Sequence, residues 1–450
     1  MKKFMVLIIV LCFILISCVK SIENDLQTGG APIKIQRFVG RFEEAISLNR
    51  SFKDKIMIQK EQEESFDIYS FDINSPTIKF EYSIKPQNNL LYSEQLDKDR
   101  ILKVKQLGNS EEDNILLLED RSTRNIAKKI AYSGSALIST SPSKDYIVYL
   151  AADDFLNRYG LYLYNLETEQ TIQLIDTAGE ELLNDMAWNI SWSPEETFIV
   201  VSNKLVFDVE RGKQIREIHA ENILWSPSGN KLAFIKSDKG YGKAVYLLDV
   251  NTAAVEEVFI VNQGEYLPGY IVWNEKESKL AFVIALLDEA KELGDISPYR
   301  GIYSLDLKVK EAVRIDSILN LDPTAVENLV NLQYNADGSV LTFTITNHSD
   351  RDLYVYNLNT EDFGFFTNIE YLHFEDNENY VCSIDSRLYF VYEQRVMELD
   401  EGMTSRSIYR AIDTIEDLYI SQDGNSMIII EKAKDEIILR QLSGFANLSM

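Results

Sequence analysis

Residues Asn222 to Thr252 read NILWSPSGNKLAFIKSDKGYGKAVYLLDVNT, and this stretch decides how the rest of the chain is interpreted. A short apolar run ends at Trp225, a Ser-Pro-Ser-Gly turn follows, and a second turn at Lys239-Gly240 separates two apolar strands. Proline presets φ at a turn and glycine tolerates a positive φ, so this pattern predicts a β-hairpin. Since a lone hairpin cannot bury its apolar face, the unit has to be repeated and stacked.

The unit recurs along most of the chain. The aligned turns are Ser141 to Lys144, Ser193 to Glu196, Ser226 to Gly229, Asn274 to Glu277, Asn335 to Gly338, Glu375 to Glu378 and Ser421 to Gly424. Their average spacing is ~47 residues, about the size of one four-stranded propeller blade. An apolar strand follows each turn. The spacing therefore predicts an all-β fold, a single β-propeller of four-stranded antiparallel blades, with eight blades favoured and seven as the alternative.

The repeat resembles that of the TolB-like, WD40-like bacterial β-propellers, also described as the PD40-type repeat. The shared pattern is an aromatic residue, Ser-Pro-x-Gly, Leu-Ala-Phe and then Val-Tyr-Leu-Leu-Asp, complete in residues 222 to 252. Residues 189 to 209 and 330 to 360 match well, whereas the turns at Asn274 and Glu375 depart from it. The resemblance implies a structural repeat without a catalytic residue, carried by a protein with a role in an envelope complex.

Residues 34–132 are rich in strands but align poorly with the repeat, so they are interpreted as degenerate N-terminal blades before the clearer repeats of 133–450. Lys55 to Ile84 is expected to complete one blade and Leu90 to Tyr132 another. The last repeat shows three strands only, and Ile33 to Phe38 is expected to supply the missing outer strand. A separate small N-terminal β domain is the alternative.

The first residues have the pattern of an export signal. Lys2 and Lys3 precede an apolar run from Phe4 to Ile16, so residues 1–17 are interpreted as a lipoprotein signal peptide. Leu-Ile-Ser-Cys, ending at Cys18, resembles the lipobox of bacterial lipoproteins, which implies a diacylglyceryl anchor with palmitate-type chains on Cys18. Residues 18–33 are then the lipidated cysteine and a flexible tether. A plain secretory or membrane-anchoring segment is the alternative.

Cysteine usage and net charge limit the kinds of partner that are expected. Of the three cysteines, Cys12 leaves with the signal and Cys18 carries the anchor, so Cys382 alone remains and is expected to be a buried structural thiol. The chain has 45 Lys and Arg against 71 Asp and Glu, a net charge of −26. Nucleic acid and anionic lipid headgroups both need a positive surface, so neither is expected to bind the body.

The sequence shows few signs of chemistry. His219, His348 and His373 are scattered singly, and neither a metal-binding motif nor a Gly-x-Ser-x-Gly elbow occurs, so no metal, cofactor or peptidase activity is expected. Asp153-Asp154 and Asp288-Glu289 are adjacent carboxylates that in principle suit acid–base work on a glycan, but an acidic chain contains such pairs by chance.

One recurrence suggests a binding site. A tyrosine stands between the second and third predicted strands of three blades, at Tyr159, Tyr241 and Tyr299, the last followed by Arg300. Equivalent loops open on one face, and tyrosine and arginine are residue types that anchor partners. The alternative is that the neighbouring glycines make the turns and the tyrosines cover blade edges.

Two functions remain open at this point. The first is a membrane-tethered binding or scaffold module at the extracytoplasmic face of the cell membrane, with an envelope protein, peptide or polysaccharide as its partner. The second is an envelope glycan hydrolase or lyase that uses carboxylates in the propeller funnel. The missing nucleophile and metal signals favour the binding module.

Overall fold

In the computed structural model the described part of the chain begins at Lys34. It comprises residues 34–37, 42–43, 46–51, 55–62, 65–72, 78–84, 90–96, 100–106, 114–120, 123, 125–133, 138–153, 158–177, 189–238, 241–286, 299–316, 328–335, 338–347, 350–367, 369, 381–384, 387–399, 404–420, 426–433 and 436–443. The predicted export signal, Cys18 and the predicted tether lie outside these residues. No helix among the described residues is long and apolar enough to cross a bilayer.

Clustering of contacts divides the chain into two compact units. We call Met1–Lys85 with Ala325–Met450 the terminal unit and Pro86–Thr324 the central unit. The prediction that residues 34–450 form one propeller stays a prediction.

The central unit contains five antiparallel sheets. Sheet 2 is β7 (Leu90–Gln95), β8 (Arg100–Gln106), β9 (Asn114–Asp120) and β10 (Ile126–Ser133); sheet 3 is β11 (Ile138–Thr140), β12 (Tyr146–Asp153), β13 (Arg158–Asn165) and β14 (Thr171–Thr177); sheet 4 is β15 (Ile190–Trp192), β16 (Phe198–Val201), β17 (Leu205–Asp208) and β18 (Lys213–Glu217); sheet 5 is β19 (Asn222–Trp225), β20 (Lys231–Asp238), β21 (Tyr241–Asp249) and β22 (Ala254–Ile260); sheet 6 is β23 (Glu265–Tyr266), β24 (Ile271–Trp273), β25 (Lys279–Leu286), β26 (Tyr299–Asp306) and β27 (Glu311–Arg314).

The terminal unit contains four antiparallel sheets. Sheet 1 is β3 (Ile46–Ser51), β4 (Lys55–Gln62), β5 (Ser65–Asp72) and β6 (Ile78–Ile84); sheet 7 is β28 (Asn328–Tyr334), β29 (Val340–Asn347), β30 (Asp350–Asn357) and β31 (Phe363–Phe366); sheet 8 is β32 (Val381–Ile384), β33 (Arg387–Tyr392), β34 (Arg395–Leu399) and β35 (Ser405–Arg410); sheet 9 is β36 (Thr414–Ile420), β37 (Ser426–Ala433) and β38 (Glu436–Ser443) with β1 (Lys34–Arg37) and β2 (Phe42–Glu43).

The predicted all-β fold of four-stranded antiparallel blades is confirmed. Consecutive strands pair in order in sheets 1 to 5, 7 and 8, which is the meander of a propeller blade. Sheets 6 and 9 each have a fifth strand: β23 and β24 both pair with β25, and β1 and β2 both pair with β38. The described residues form nine such sheets, one more than the eight blades predicted. Residues 34–132 form sheets 1 and 2, and the seven aligned repeats account for the other seven sheets.

Two details of the terminal unit answer particular predictions. Residues Lys34–Arg37 pair antiparallel with β38, with Lys34 opposite Ser443, which confirms the N-terminal strand as the outer strand of the last sheet. In sheet 8 the apolar strand after the Glu375 to Glu378 turn is Val381–Ile384, and it is the first strand of the sheet rather than the second that the repeat predicts. The two strands β32 and β33 are joined so tightly that Ile384 pairs with Arg387, leaving no room for a turn of the repeat type.

The middle strands of the central sheets form the core of the central unit. In sheet 5, Leu232, Ala233 and Ile235 of β20 and Val245 of β21 are fully buried. Their neighbours include residues of both adjacent sheets, because Val200 of sheet 4 packs on one face and Phe282 of sheet 6 packs on the other. The continuous apolar runs of the sequence are therefore explained by strands that are covered on both faces.

Each central sheet has two distinct ends. We call the end at which the first strand turns into the second the turn end, and the end at which the second strand passes into the third the hairpin end. Strands alternate in direction, so the first and third strands both begin at the hairpin end.

A buried side chain organises the turn ends of sheets 3, 4, 5 and 6. Ser141, Ser193 and Ser226 are fully buried, and each hydroxyl accepts the backbone N–H five residues later, at 3.0 to 3.1 Å. Asn274 replaces serine in sheet 6 and accepts the N–H of Lys279 at 2.7 Å. The fourth turn residue has positive φ in every one of these sheets and in sheet 7: Lys144, Glu196, Gly229, Glu277 and Gly338. The turns Asn274 to Glu277 and Ser226 to Gly229 are thus equivalent despite their different sequences.

Glutamates link neighbouring turn ends. The Glu196 carboxylate of sheet 4 accepts hydrogen bonds from the backbone N–H and the hydroxyl of Ser143 in sheet 3. Glu277 of sheet 6 likewise accepts the N–H of Ser228 in sheet 5 at 2.5 Å. Burial raises the pKa of Glu277, but the hydrogen bonds from Ser228 and Ser226 outweigh it, so the pKa lies below its usual value.

Tryptophans form a second link between the same sheets. Trp192 and Trp225 end the first strands of sheets 4 and 5, and each indole N–H donates to a serine of the preceding first strand, at 3.0 Å to Ser139 and 3.1 Å to Ser191. Trp273 of sheet 6 donates to the carbonyl of Leu224 at 3.2 Å. Four consecutive first strands are therefore joined side by side, which places their hairpin ends next to one another.

Candidate functional site

The predicted tyrosines all lie at the hairpin end of the central unit. Tyr159, Tyr241 and Tyr299 are at or next to the start of β13, β21 and β26, where they pair with Ala152, Asp238 and Ala285. Arg300 follows in β26. They belong to strands rather than to loops, so the prediction of loop residues was wrong, because the third strands extend further than the apolar runs show. The side chains of these four residues lie outside what the structure describes.

The glycines beside these tyrosines have a packing role. A Cβ at Gly160 would lie 2.7 Å from the Tyr162 ring, and one at Gly242 would lie 2.4 Å from Ile235 and 2.7 Å from the carbonyl oxygen of Leu267. Neither glycine has a positive φ. The turn interpretation of these glycines is therefore wrong: they permit close approach of neighbouring groups to the strand.

An amide network joins sheets 4 and 5 at the hairpin end. Ser202 and Asn203 have φ values of 53° and 52°, a left-handed pair that makes the tight connection between β16 and β17. Asn203 accepts a hydrogen bond from the Asn189 amide at 3.2 Å and donates one to the carbonyl of Glu221 at 3.3 Å. The polar side chains here are held in place by one another.

Residues 262–270, which we call the bridging segment, connect sheet 5 to sheet 6 at this end. The N–H of Leu267 donates to the carbonyl of Gly242 at 2.8 Å, and the Asn222 amide donates to the carbonyl of Gly269 at 2.5 Å. Glu265–Tyr266 pairs with the end of β25. Gly264 and Gly269 have positive φ, so the segment makes two bends that other residues rarely adopt.

The exposed surface of the bridging segment is aromatic and polar. Tyr270 is 46% exposed, Tyr266 and Pro268 are partly exposed, and Asn262 and Gln263 face solvent. Tyrosine with asparagine and glycine is the composition of antibody paratopes, where the ring provides contact area and the amides provide adaptable hydrogen bonds. We call the bridging segment together with Asn189, Asn203, Glu221 and Asn222 the hairpin-end surface. Its chemistry suits binding.

The histidines, the cysteine and the adjacent carboxylates named in the sequence analysis do not form a cluster among the described residues. His219 is exposed and contacts Glu217, with 2.5 Å between Nε2 and Oε1. Asp154, Asp288, Glu289, His348 and His373 lie outside the described residues, and Asp153 is described by its backbone only. Cys382 pairs through its backbone with Tyr389, and its side chain is also outside the description. In the part of the chain that the structure describes, no three His, Cys, Asp or Glu side chains form a possible metal site.

Buried charges elsewhere are paired inside the sheets. In sheet 2 Lys103 and Glu119 are 2.7 Å apart, and both side chains are less than a tenth exposed. In sheet 9 Glu431 lies 2.7 Å from Arg440, at ion-pair distance without hydrogen-bond geometry, and also accepts the hydroxyl of Tyr409. Because a buried ion pair that loses one partner is strongly destabilised, these groups are assigned to the fold.

Comparison with known proteins gives information about the fold and none about the function. No family model and no curated protein matches the chain. Among solved structures it is similar to an oligogalacturonate lyase in complex with manganese, at 12% identity over 93% of this chain and 98% of that one, with a TM-score of 0.40. It is also similar to the β-propeller domain of the Trilobed protease from Pyrococcus furiosus, which has an open velcro topology (11%, 71% and 95%, TM-score 0.32), and to TolB from Acinetobacter baumannii (12%, 86% and 78%, TM-score 0.26).

The strand pairing of this chain itself defines the class: an all-β protein of four-stranded antiparallel propeller blades. A fold of this kind does not by itself distinguish a binding module from an enzyme. The function has to be argued from the site.

Proposed function

We propose that this protein is a membrane-tethered binding module, and that the hairpin-end surface of its central unit holds a polypeptide partner in the cell envelope. The observation that carries the proposal is the bridging segment, in which backbone hydrogen bonds to Gly242 and from Asn222 hold an exposed aromatic and amide surface in place. A surface ordered before binding loses little conformational entropy when the partner arrives.

The types of exposed group favour a protein partner. Tyr266 and Tyr270 offer flat apolar area with a polar hydroxyl, and Asn262 and Gln263 offer both donors and acceptors. Interfaces are enriched in tyrosine and depleted in lysine and glutamate, and the bridging segment carries one charged residue, Glu265. The net charge of −26 opposes nucleic acid as the partner.

The proposed location at the membrane rests on the first residues of the sequence. Lys2, Lys3 and the apolar run to Ile16 support export, and the lipobox resemblance supports a diacylglyceryl anchor on Cys18. Two acyl chains hold a protein on a bilayer durably, whereas one does not. The TolB-like repeat pattern supports an envelope role. In this proposal the anchor provides location and the hairpin-end surface provides specificity.

A crosslinking pull-down from intact cells tests the proposal. Four forms are compared: the native chain, Cys18→Ala, Tyr270→Ser, and a triple alanine variant of Tyr159, Tyr241 and Tyr299. The native chain is expected to capture a defined envelope protein, Cys18→Ala to be shed from the membrane, and both tyrosine variants to lose the partner while their thermal unfolding stays close to native. A collapse of the melting transition in the triple variant would instead assign those tyrosines to packing.

Val309→Ser is the matched control. Val309 is 59% exposed in sheet 6 but lies at the turn end, so its replacement removes a similarly exposed side chain from the opposite end of the same sheet. Capture that survives Tyr270→Ser, or that Val309→Ser abolishes equally, would rule out the hairpin-end surface. Co-purification of polysaccharide without protein would favour a glycan as the ligand, and glycan-binding and hydrolysis assays would then distinguish a binding module from an enzyme.

A further inference from the structure

Four sheets share an aromatic pair between their second and third strands. A tyrosine of the third strand stacks on an aromatic residue directly opposite in the second strand, with ring centroids 5.2 to 6.2 Å apart. The pairs are Tyr162 with Tyr149, Tyr246 with Phe234, Tyr303 with Phe282, and Tyr354 with Phe343. The repeated pairing provides a common register in which the outer strands can be compared.

The fourth strand differs at this register in sheet 7 alone among the four. The residues opposite Tyr162, Tyr246 and Tyr303 are polar: Gln173, Glu257 and Arg314. Opposite Tyr354 stands Phe365, which is 61% exposed and whose ring lies 6.4 Å from that of Tyr354. A polar residue at this position is compatible with the fold in three sheets, so the exposed phenylalanine is not required by the blade.

The whole outer strand of sheet 7 is unusual for an edge. Its sequence is FGFF, whereas β18 reads KQIRE, β22 reads AVEEVFI and β27 reads EAVR. Charged residues on edge strands prevent pairing with other chains, and β31 has none. Among the described residues β31 pairs with β30 only, so its other side presents unpaired backbone groups.

Carboxylates surround this aromatic edge. Asp352 lies two residues before Tyr354 on the same face of β30, and Glu361 and Asp362 are exposed in the turn that leads into β31. Neither Glu361 nor Asp362 forms an ion pair with the described residues. Burial and the charge of Asp352 both raise the pKa of Tyr354. The face of an aromatic ring also carries partial negative charge, so apolar rings and negative charge occur together at this edge.

We propose that the outer edge of sheet 7 binds a basic extended segment of a partner protein. The segment pairs through its backbone along β31, and one of its arginine or lysine residues lies over the ring of Phe365, on the face that Asp352 shares. A second basic residue of the segment meets Glu361 and Asp362 in the turn before β31. Strand addition provides affinity through main-chain hydrogen bonds, and the side chains of alternate residues provide specificity. A cation over an aromatic face next to carboxylates is favoured twice, by the ring quadrupole and by direct charge attraction. This site is independent of the hairpin-end surface.

Fluorescence anisotropy with labelled peptides tests the inference. The protein is the full chain carrying Cys18→Ala, and the probes are ten-residue peptides in which arginine, glutamine or glutamate alternates with threonine. The arginine peptide is expected to bind more tightly than the other two. Phe365→Gln places the residue of sheet 3 at the matched position and is expected to weaken the arginine peptide about two- to fivefold, the range of an exposed cation–π contact, with unchanged thermal unfolding.

Phe365→Gln leaves the net charge unaltered, so it separates this site from general attraction of cations to an acidic protein. Val313→Gln, which removes a side chain 60% exposed from the outer strand of sheet 6, is the matched control and is expected to bind as the native chain does. Equal binding by Phe365→Gln and the native chain would overturn the inference. So would equal affinity for the glutamine peptide, or self-association of the native chain that Phe365→Gln abolishes, since the edge would then accept an uncharged strand or a second copy.

Discussion

The turn end and the hairpin end of the central sheets are built on the same strands, yet the turn end repeats more closely than the hairpin end. At the turn end, buried Ser193 and Ser226 make the same hydrogen bond, and Trp192 and Trp225 make the same link to the preceding sheet. The hairpin end varies more: sheet 4 has a left-handed pair and sheet 6 receives the bridging segment, although a glycine at close approach recurs in sheets 3, 5 and 6.

The two ends differ because packing constrains the turn end and solvent exposure relaxes that constraint at the hairpin end. Groups at the turn end are buried and contact the neighbouring sheet, so every repeat has to satisfy the same geometry. Groups at the hairpin end reach solvent, where substitutions cost little stability and the surface is free to fit a partner. A repeat pattern in such a chain therefore marks its structural side, and the departures from the pattern mark its surface for binding.

The largest expected effect concerns Trp273. Its side chain is 8% exposed and its indole bonds to sheet 5, so Trp273→Ala is expected to lower the free energy of unfolding by about 3 to 5 kcal/mol. Tyr270→Ala, three residues away but 46% exposed at the hairpin end, is expected to cost about 1 kcal/mol or less. Urea denaturation measures both. Similar losses in the two variants would mean that the ends do not differ in structural role.

A medium effect is expected at Gly242, where the hairpin end does carry a packing constraint. In Gly242→Ala the new Cβ meets the backbone oxygen of Leu267, so the bridging segment has to shift, at a cost of about 1 to 3 kcal/mol. Gly264→Asn is the control, because nothing lies within 4 Å of that position and asparagine tolerates its positive φ. If thermal unfolding shows the two variants to be equally stable, the bridging segment is not anchored as the structure shows.

The smallest effect is the pH dependence of the turn-end link at Glu277. Its pKa is lowered in the folded state, so its contribution to stability is present above the unfolded pKa and is lost as pH falls through the folded value. The native chain is expected to lose slightly more stability than Glu277→Gln between neutral pH and about pH 3. Denaturation midpoints at both pH values check this difference, and a larger loss in the variant would contradict the assigned sign.

Most of the strands could be predicted from the sequence, because alternation and turn residues are local signals. The pairing of Lys34–Arg37 with the last sheet, for example, was predicted from an unfilled edge. The sequence alone could align Asn274 with the turn serines but could not explain why they are equivalent. The reason is a shared hydrogen bond and a shared positive φ at the fourth turn residue, which only the structure shows.

The candidate site was harder to predict than the fold. The tyrosine recurrence indicated the hairpin end, but the bridging segment was missed, because its order depends on contacts from Asn222 and Gly242 in another sheet. Asn-Gln-Gly and Pro-Gly in residues 262–270 were the available signal, and by themselves they indicate only a loop. The strand glycines were misread for the same reason, since the groups that exclude a side chain at Gly242 come from elsewhere.

The pairing of Lys34–Arg37 with β38 also sets an order of events during biosynthesis. Lys34–Arg37 is made long before Ser443, so it has to wait without this pairing until β38 has been synthesised. Closing so long a segment is an entropically costly late step. Sheet 9 is therefore completed late in folding, and a chain that stops short of β38 leaves Lys34–Arg37 without this partner and open to proteases.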